Sequence, residues 1–139
     1  MGLNDLLKSM FGSKSDRDLK KLRPILQKIK QVYPTVEALS NDELRARVTA
    51  IRQEIQDDVQ PLRDEIAKIK VEVEELDFEK RQPLWDKVDK LQKEVLDRIQ
   101  AKLDEVLPEV FAIVKDTARR FAQNETIEVT ATDFDRKLA

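Results

Sequence analysis

A chain of 139 residues has room for one domain of ordinary size, yet 39% of it is charged, 5% is aromatic and only two residues are glycine, a balance that disfavours compact α/β and all-β folds and favours long helices with wide wet faces. Cysteine and histidine are both absent, which removes disulfides, thiolate chemistry, zinc sites of the usual ligand types and histidine acid–base catalysis together. The net charge of −2 conceals an uneven distribution: residues 8–30 carry eight bases (Lys8, Lys14, Arg17, Lys20, Lys21, Arg23, Lys28, Lys30) against two acids (Asp16, Asp18), whereas residues 56–105 carry fifteen acids against ten bases.

The basic end is therefore the expected docking surface. No apolar run approaches the ~18 residues of a membrane span, and the N-terminus lacks the apolar h-region and small-residue cleavage site of a signal peptide. A cytosolic protein is the default expectation.

In the first segment, Leu3, Leu6, Leu7, Met10 and Phe11 fall at helical spacing with Asn4, Asp5, Lys8 and Ser9 on the other side. The pattern predicts a short amphipathic helix that Gly12 can end in a left-handed conformation. A helix this short is marginal in water, so its apolar stripe needs a surface. That surface is an anionic membrane or a partner groove in one reading, and the protein's own domain in the other.

Ser15 and Asp18 form a capping-box-like start to a second helix, continued by Leu19, Leu22, Leu26, Ile29 and Val32. Pro24 should bend it, and Tyr33-Pro34 should end it, because the residue before proline is pushed out of helical conformation. Ser40-Asn-Asp-Glu43 is a capping box for the next helix. From there Leu44, Val48, Ile51, Ile55, Val59, Leu62, Ile66, Ile69, Val73 and Leu76 advance in steps of 4, 3, 4, 4, 3, 4, 3, 4 and 3. This is a coiled-coil-like seam with one drift, and because the drift meets Pro61, a kink or a break near Asp57 to Gln60 is expected, with Pro61 starting the next helix.

After the polar stretch Asp77 to Pro83 the steps resume with Leu84, Val88, Leu91, Val95, Ile99 and Leu103. Two seams of similar length and a short linker predict an antiparallel helical hairpin, with Phe78 and Trp85 packed as core near its tip. Pro108 reads as a further helix start, and Val110, Phe111, Val114, Ala118 and Phe121 as an apolar face that closes on the first helices. Thr126 to Thr130 alternates like a short strand or extended segment. Thr132 with Asp135 caps a last helix abandoned at Ala139, which reads as truncation. The fold expected is mostly all-α: docking helices over 1–55, an inserted hairpin over 56–105, and a returning helix with the start of a further domain over 106–139.

The acidic cluster Glu72, Glu74, Glu75, Asp77 and Glu79 has no histidine to complete a helical di-metal centre, so it reads as the solvated face of the hairpin. The basic stretch lacks the interleaved aromatics of a nucleic-acid surface, and the chain is acidic overall. Nucleic acid is not an expected partner.

The blocks Phe11-Gly-Ser-Lys-Ser-Asp-Arg-Asp-Leu-Lys-Lys-Leu22, Tyr33-Pro34, Leu39-Ser-Asn-Asp-Glu-Leu44 and Val106-Leu-Pro-Glu-Val-Phe-Ala-Ile-Val-Lys-Asp-Thr-Ala-Arg-Arg-Phe121 resemble the N-terminal region of the SecA family of bacterial preprotein translocase ATPases. Together they cover about half of the chain. It departs from the common pattern at about residues 56–105, where most family members have a much shorter connection. The expected hairpin fills that insertion.

The resemblance implies an ATP-driven motor that moves preproteins through the SecYEG channel, at the cytoplasmic face of the inner membrane. ATP and magnesium are implied for such a parent, but the family's glutamine motif and phosphate-binding loop lie downstream of the residues present, so no catalytic, cofactor or metal residue carries over. Gly12-Ser-Lys-Ser15 is not a phosphate loop: the first glycine of G-x-x-x-x-G-K-[ST] is missing, and Ser13 separates Gly12 from Lys14.

What carries over is docking, to acidic phospholipid, to the channel and to the ribosome. The residues that match are Leu3, Leu6, Leu7, Met10 and Phe11 for the apolar half, and Lys8, Lys14, Arg17, Lys20, Lys21 and Arg23 for the basic half. Each base could add on the order of 1 kcal/mol at an anionic surface, screened by salt. A free-standing helical adaptor or scaffold is the competing reading, and pairing of the hairpin with a second copy stays open.

Overall fold

A computed structural model describes residues 14–139, and among them the chain is almost wholly helical. Helix α1 spans Lys14–Glu37, α2 Asn41–Glu75, α3 Gln82–Gln123 and α4 Asp133–Leu138, with one 3-10 turn at Phe78–Lys80. No strand forms among the described residues. The alternating stretch at Thr126 to Thr130 has no regular secondary structure, so β-branched alternation alone did not make a ladder. The leading segment with Leu3, Leu6, Leu7, Lys8, Met10 and Phe11 lies outside the described residues.

Two capping boxes form as their sequences require. Ser40 Oγ accepts from the Glu43 amide at 3.2 Å while the Ser40 amide donates to Glu43 Oε2 at 2.8 Å. Thr132 and Asp135 repeat the arrangement at α4, at 3.3 and 2.7 Å. Each box satisfies two amides that have no partner within the helix.

Three of the four interior prolines do not act as expected. Helix α1 continues through Pro34 to Glu37, α2 through Pro61, and α3 through Pro108. An interior proline costs about 3 kcal/mol through a lost hydrogen bond and a clash with the carbonyl four residues back. Burial close by offsets that cost: Val36 follows Pro34, Val59 precedes Pro61, and Val106 precedes a buried Pro108. The drift at Pro61 is absorbed within one helix.

The chain divides into two compact units. One consists of Ser40–Leu107 with Thr130–Ala139, and its core is the predicted seam. Val59, Ile66, Ile69 and Val73 of α2 cluster with Val88 and Val95 of α3, and Leu62, Leu84, Leu91 and Ile99 pack against them. The turn between the helices is closed by Arg81 Nε donating to the Leu76 carbonyl at 2.8 Å. Phe78 and Trp85 are not core: they are 87% and 40% exposed, because the two helices end there and no third element covers the tip. The five acids from Glu72 to Glu79 are all exposed.

The other unit joins the chain up to Leu39 with Pro108–Val129. Its buried residues are Val36 of α1 and Pro108, Ala112, Ile113 and Asp116 of α3. The expected closing face is instead exposed, with Val110 at 38%, Phe111 at 57%, Val114 at 62% and Phe121 at 67%. The neighbouring face was chosen because it carries Asp116, whose polar partners come from both helices.

Replacing Ile69, 5% exposed in the seam, with Asp is expected to lower stability by more than about 3 kcal/mol, since it buries an unpaired charge. The same change at Val71, 61% exposed on the same helix, is expected to stay within about 0.5 kcal/mol. Urea unfolding of both variants checks the difference.

Candidate docking surface

Helix α1 has two chemically distinct long faces. At 3.6 residues per turn, Lys14, Arg17, Lys21 and Lys28 stand in one row within about 60° of one another. Leu19, Leu22, Leu26 and Ile29 form a second row on the opposite half of the cylinder. Lys14, Arg17, Lys20, Lys21 and Arg23 are all exposed. Of these, Lys14, Arg17 and Lys21 share the basic row, while Lys20 and Arg23 stand further round the helix. Lys28 completes the row and was not among the residues singled out as docking candidates, although its spacing of seven from Lys21 gives the signal.

The apolar row is equally open, with Leu19, Leu22 and Leu26 at 52%, 56% and 50% exposure. A row of leucines half in water is an unusual thing for a helix to keep unless something covers it. The combination of an apolar row and a basic row on one helix is the composition of an interfacial helix.

The C-terminal end of α1 is anchored by a buried carboxylate that the sequence pattern did not point to. Asp116 is wholly buried, and three donors surround it. Tyr33 Oη donates to Oδ1 at 3.2 Å, Arg119 Nε to Oδ1 at 2.8 Å and Arg120 Nε to Oδ2 at 2.7 Å. Arg120 also donates from Nη2 to the Leu39 carbonyl at 2.6 Å, beyond the end of α1. Lys115 Nζ stands 3.8 Å from the centre of the Tyr33 ring, a cation–π contact. Burial alone would raise the Asp116 carboxyl, but the hydrogen bonds from Arg119 and Arg120, the Arg120 charge and the Tyr33 hydroxyl outweigh it and hold the group below the usual carboxylate range.

In the hairpin unit a second polar clamp ties the tail to the first turns of α2. Arg45 Nη2 spans both oxygens of Asp135 at 2.9 and 2.7 Å, and Nη1 donates to the Thr130 carbonyl at 3.2 Å. Asp42 accepts from the Thr130 amide at 2.9 Å and from its hydroxyl at 2.5 Å. Thr49, Arg52 and Phe134 line the adjoining cleft with these residues. Asp135 is depressed to about 2, first by the Arg45 hydrogen bonds and then by those from Thr132. These groups are committed to one another, and they order the tail.

Among the described residues there is no group of His, Cys, Asp and Glu that could hold a metal ion. No helix among them is long and apolar enough to cross a membrane. Gly12 and Ser13 lie outside the described residues, and Lys14 is an exposed residue at the start of α1.

Comparison with known proteins now bears on these surfaces. A family model described as the SecA DEAD-like domain matches residues 7–132. The protein translocase subunit SecA of Porphyromonas gingivalis is 58% identical over all 139 residues, that of Parabacteroides distasonis 48% and that of Bacteroides fragilis 45%, each over the whole chain. The chain spans about 12% of the length of these relatives. The alignments run through residues 56–105, so the hairpin segment is shared with them. No solved structure matches.

Replacing Asp116 with Ala removes the acceptor shared by Tyr33, Arg119 and Arg120, and is expected to cost about 3–5 kcal/mol, as removal of one partner from a buried pair does. Replacing Glu94, whose pair with Arg98 is half exposed on both sides, is expected to cost less than about 0.5 kcal/mol. Chemical denaturation measures both.

The Asp135 clamp has a pH signature. Its folded value lies below the ordinary value of 3.8, so the stability it contributes is present above that value and is lost as pH falls through about 2. A carboxyl NMR titration is expected to place Asp135 near the lower value, and Arg45→Ala is expected to move its midpoint up toward 3.8.

Proposed function

We propose, from the premise that the chain belongs to the SecA family, that these residues serve as the N-terminal docking part of an ATP-driven preprotein translocase. Membership rests on the family match over residues 7–132 and on the relatives' identities. Motor activity, preprotein substrates and the SecYEG channel belong to this proposal, and so does the site of action at the cytoplasmic face of the inner membrane. ATP and magnesium would be held by other parts of such a motor, since no residue here matches its phosphate loop. The reading of a free-standing adaptor gives no account of identity spread over the whole chain.

The observation that carries the docking role is the pair of rows on α1. Lys14, Arg17, Lys21 and Lys28 face one way, and the half-exposed Leu19, Leu22 and Leu26 face another. A helix lying on an anionic bilayer can sink its leucines to the acyl boundary while its lysines stay among the headgroups. The leading segment lies outside the described residues; its sequence carries Leu3, Leu6, Leu7, Met10 and Phe11 at helical spacing beside Lys8, and it belongs to the same proposal. Apolar burial by a few side chains is marginal alone, and so is the charge term; together they support reversible peripheral attachment. The ribosome and the channel are further docking partners in this reading, through the same basic surface.

Co-sedimentation with vesicles tests it. The chain is expected to bind vesicles rich in phosphatidylglycerol and to bind pure phosphatidylcholine vesicles much less. Deletion of residues 1–11 should remove most of the binding. Lys20→Glu with Lys21→Glu should weaken it by roughly tenfold or more at low salt, with a smaller effect at high salt. Equal binding to the neutral vesicles would sink the proposal.

A further inference from the structure

The 3–4 steps on α3 do not all belong to the seam. Trp85, Asp89, Gln92, Leu96, Gln100 and Leu103 advance in steps of 4, 3, 4, 4 and 3, and at 3.6 residues per turn all six lie within about 40° of the Leu96 direction. The seam residues Val88, Val95 and Ile99 lie about 60–100° away round the same helix. The second row stays open to solvent, with Leu96 at 66%, Leu103 at 45% and Trp85 at 40% exposure. A helix with two such rows is patterned for two helical neighbours, and in the hairpin unit α2 covers one row.

Beside Leu96 a groove of about 410 Å³ opens between the two helices, lined by Arg63, Ile66, Gln92, Val95 and Leu96. Its floor is the seam itself at Ile66 and Val95, so an aliphatic side chain placed there would extend the existing core. The outer edge of the row is acidic. Asp86, Asp89, Asp97 and Asp104 fall within about 100° of Leu96 on the side away from α2, and Lys93 is the one base in that arc. Asp86 and Asp104 accept from the neutral amides of Gln82 at 2.8 Å and Gln100 at 3.0 Å. None of the four acids stands in an ion pair among the described residues.

We propose that this row and groove receive a basic amphipathic helix of a partner protein, laid against the hairpin as its third helix. The contact fixes three features of that helix. The row from Trp85 to Leu103 is about 27 Å long, so roughly 18 residues of helix span it. Leucine- or isoleucine-sized side chains at 3–4 spacing meet Leu96 and Leu103, and one of them enters the groove over Ile66 and Val95. Lysines or arginines along one edge meet Asp86, Asp97 and Asp104, and one base faces Asp89, the charged member of the row itself. A charge at a seam position selects the partner at some cost in stability, because a helix without the opposite charge leaves it unpaired. An anionic bilayer and a second α3 are both poor complements: the headgroups in one case and the same four acids in the other repel this edge.

Trp85 is the one tryptophan in the sequence, and it lies in the row, so its fluorescence reports directly on whether the row is covered. The probes are two synthetic amphipathic helices of about 18 residues, with leucine at 3–4 spacing and either lysine or glutamate elsewhere. The lysine peptide is expected to shift Trp85 emission to the blue, saturably and at micromolar concentration, and the glutamate peptide to leave it unmoved. Leu96→Glu with Leu103→Glu is expected to abolish the shift with unchanged helical circular dichroism. Asp89→Lys with Asp97→Lys is expected to weaken the lysine peptide by roughly tenfold or more at low salt and to admit the glutamate peptide, a gain that unfolding cannot produce. None of this rests on the membrane reading of α1, so vesicle binding can fail while the peptide result stands. The proposal is overturned if neither peptide shifts Trp85, if both bind the unaltered chain alike, or if the Leu96/Leu103 variant binds as before. It is overturned equally if Trp85 emission follows the concentration of the chain alone, which would put a second copy on the row.

Discussion

The zipper of valine and isoleucine between α2 and α3 is the interaction on which the hairpin depends. With 39% of its residues charged and only seven aromatics among 139, the chain cannot build a thick core. Each helix can bury one narrow row, and the α2–α3 row is the longest available, running from Val59 to Val73 against Val88 and Val95. Its 3–4 spacing requires two helices in near-parallel alignment, because only then do successive turns keep meeting. That geometry then fixes the tip, leaves Phe78 uncovered and places every remaining apolar row on the outside. The exposed rows at Leu19 to Leu26 and at Leu96 to Leu103 are surplus to the fold.

In the unit that holds α1, a polar centre replaces the zipper. Asp116 sits at zero exposure with Tyr33, Arg119 and Arg120 on its two oxygens, and Arg120 continues to the Leu39 carbonyl. A buried carboxylate with one partner is a liability; with three donors it becomes directional. An apolar row tolerates a slip of one turn. This centre does not, because Tyr33 must reach the same oxygen as Arg119. Orientation at the C-terminal end of α1 is thereby set by hydrogen-bond geometry, while its leucine row stays out of the core.

The sequence made the two seams, two of the three capping boxes and the all-helical class legible, since each is a local periodicity or a short spacing with a direct physical meaning; the Ser15–Asp18 box is not a helix start, because α1 already begins at Lys14. It misled at Pro34, Pro61 and Pro108, where the local rule that proline ends or starts a helix met burial of a nearby residue (Val36, Val59, Val106) and lost. It also misled at Val110, Phe111, Val114 and Phe121. Apolar spacing marked that face as the buried one, but the presence of Asp116 on the adjoining face decided which side turned inward. A single Asp among apolar residues reads as a surface position until its partners are known, and one of those partners, Tyr33, is 83 residues away. Of the docking candidates, the bases from Lys14 to Arg23 stand exposed as their composition implied. That they fall into a row with Lys28 is visible only once α1 is known to run unbroken through Pro24.

Charge gives the two exposed surfaces different preferences. Residues 8–30 hold eight bases against two acids, and residues 56–105 hold fifteen acids against ten bases. Near an anionic bilayer the first stretch is attracted and the second repelled, each over roughly one Debye length, about 8 Å at physiological salt. A row such as Leu96 to Leu103, set in the acidic stretch, is therefore a poor membrane ligand despite its exposure. The leucines of α1 lie among bases and carry no such penalty. Similar apolar exposure on two helices thus sits in opposite electrostatic surroundings, basic on α1 and acidic on the hairpin part of α3.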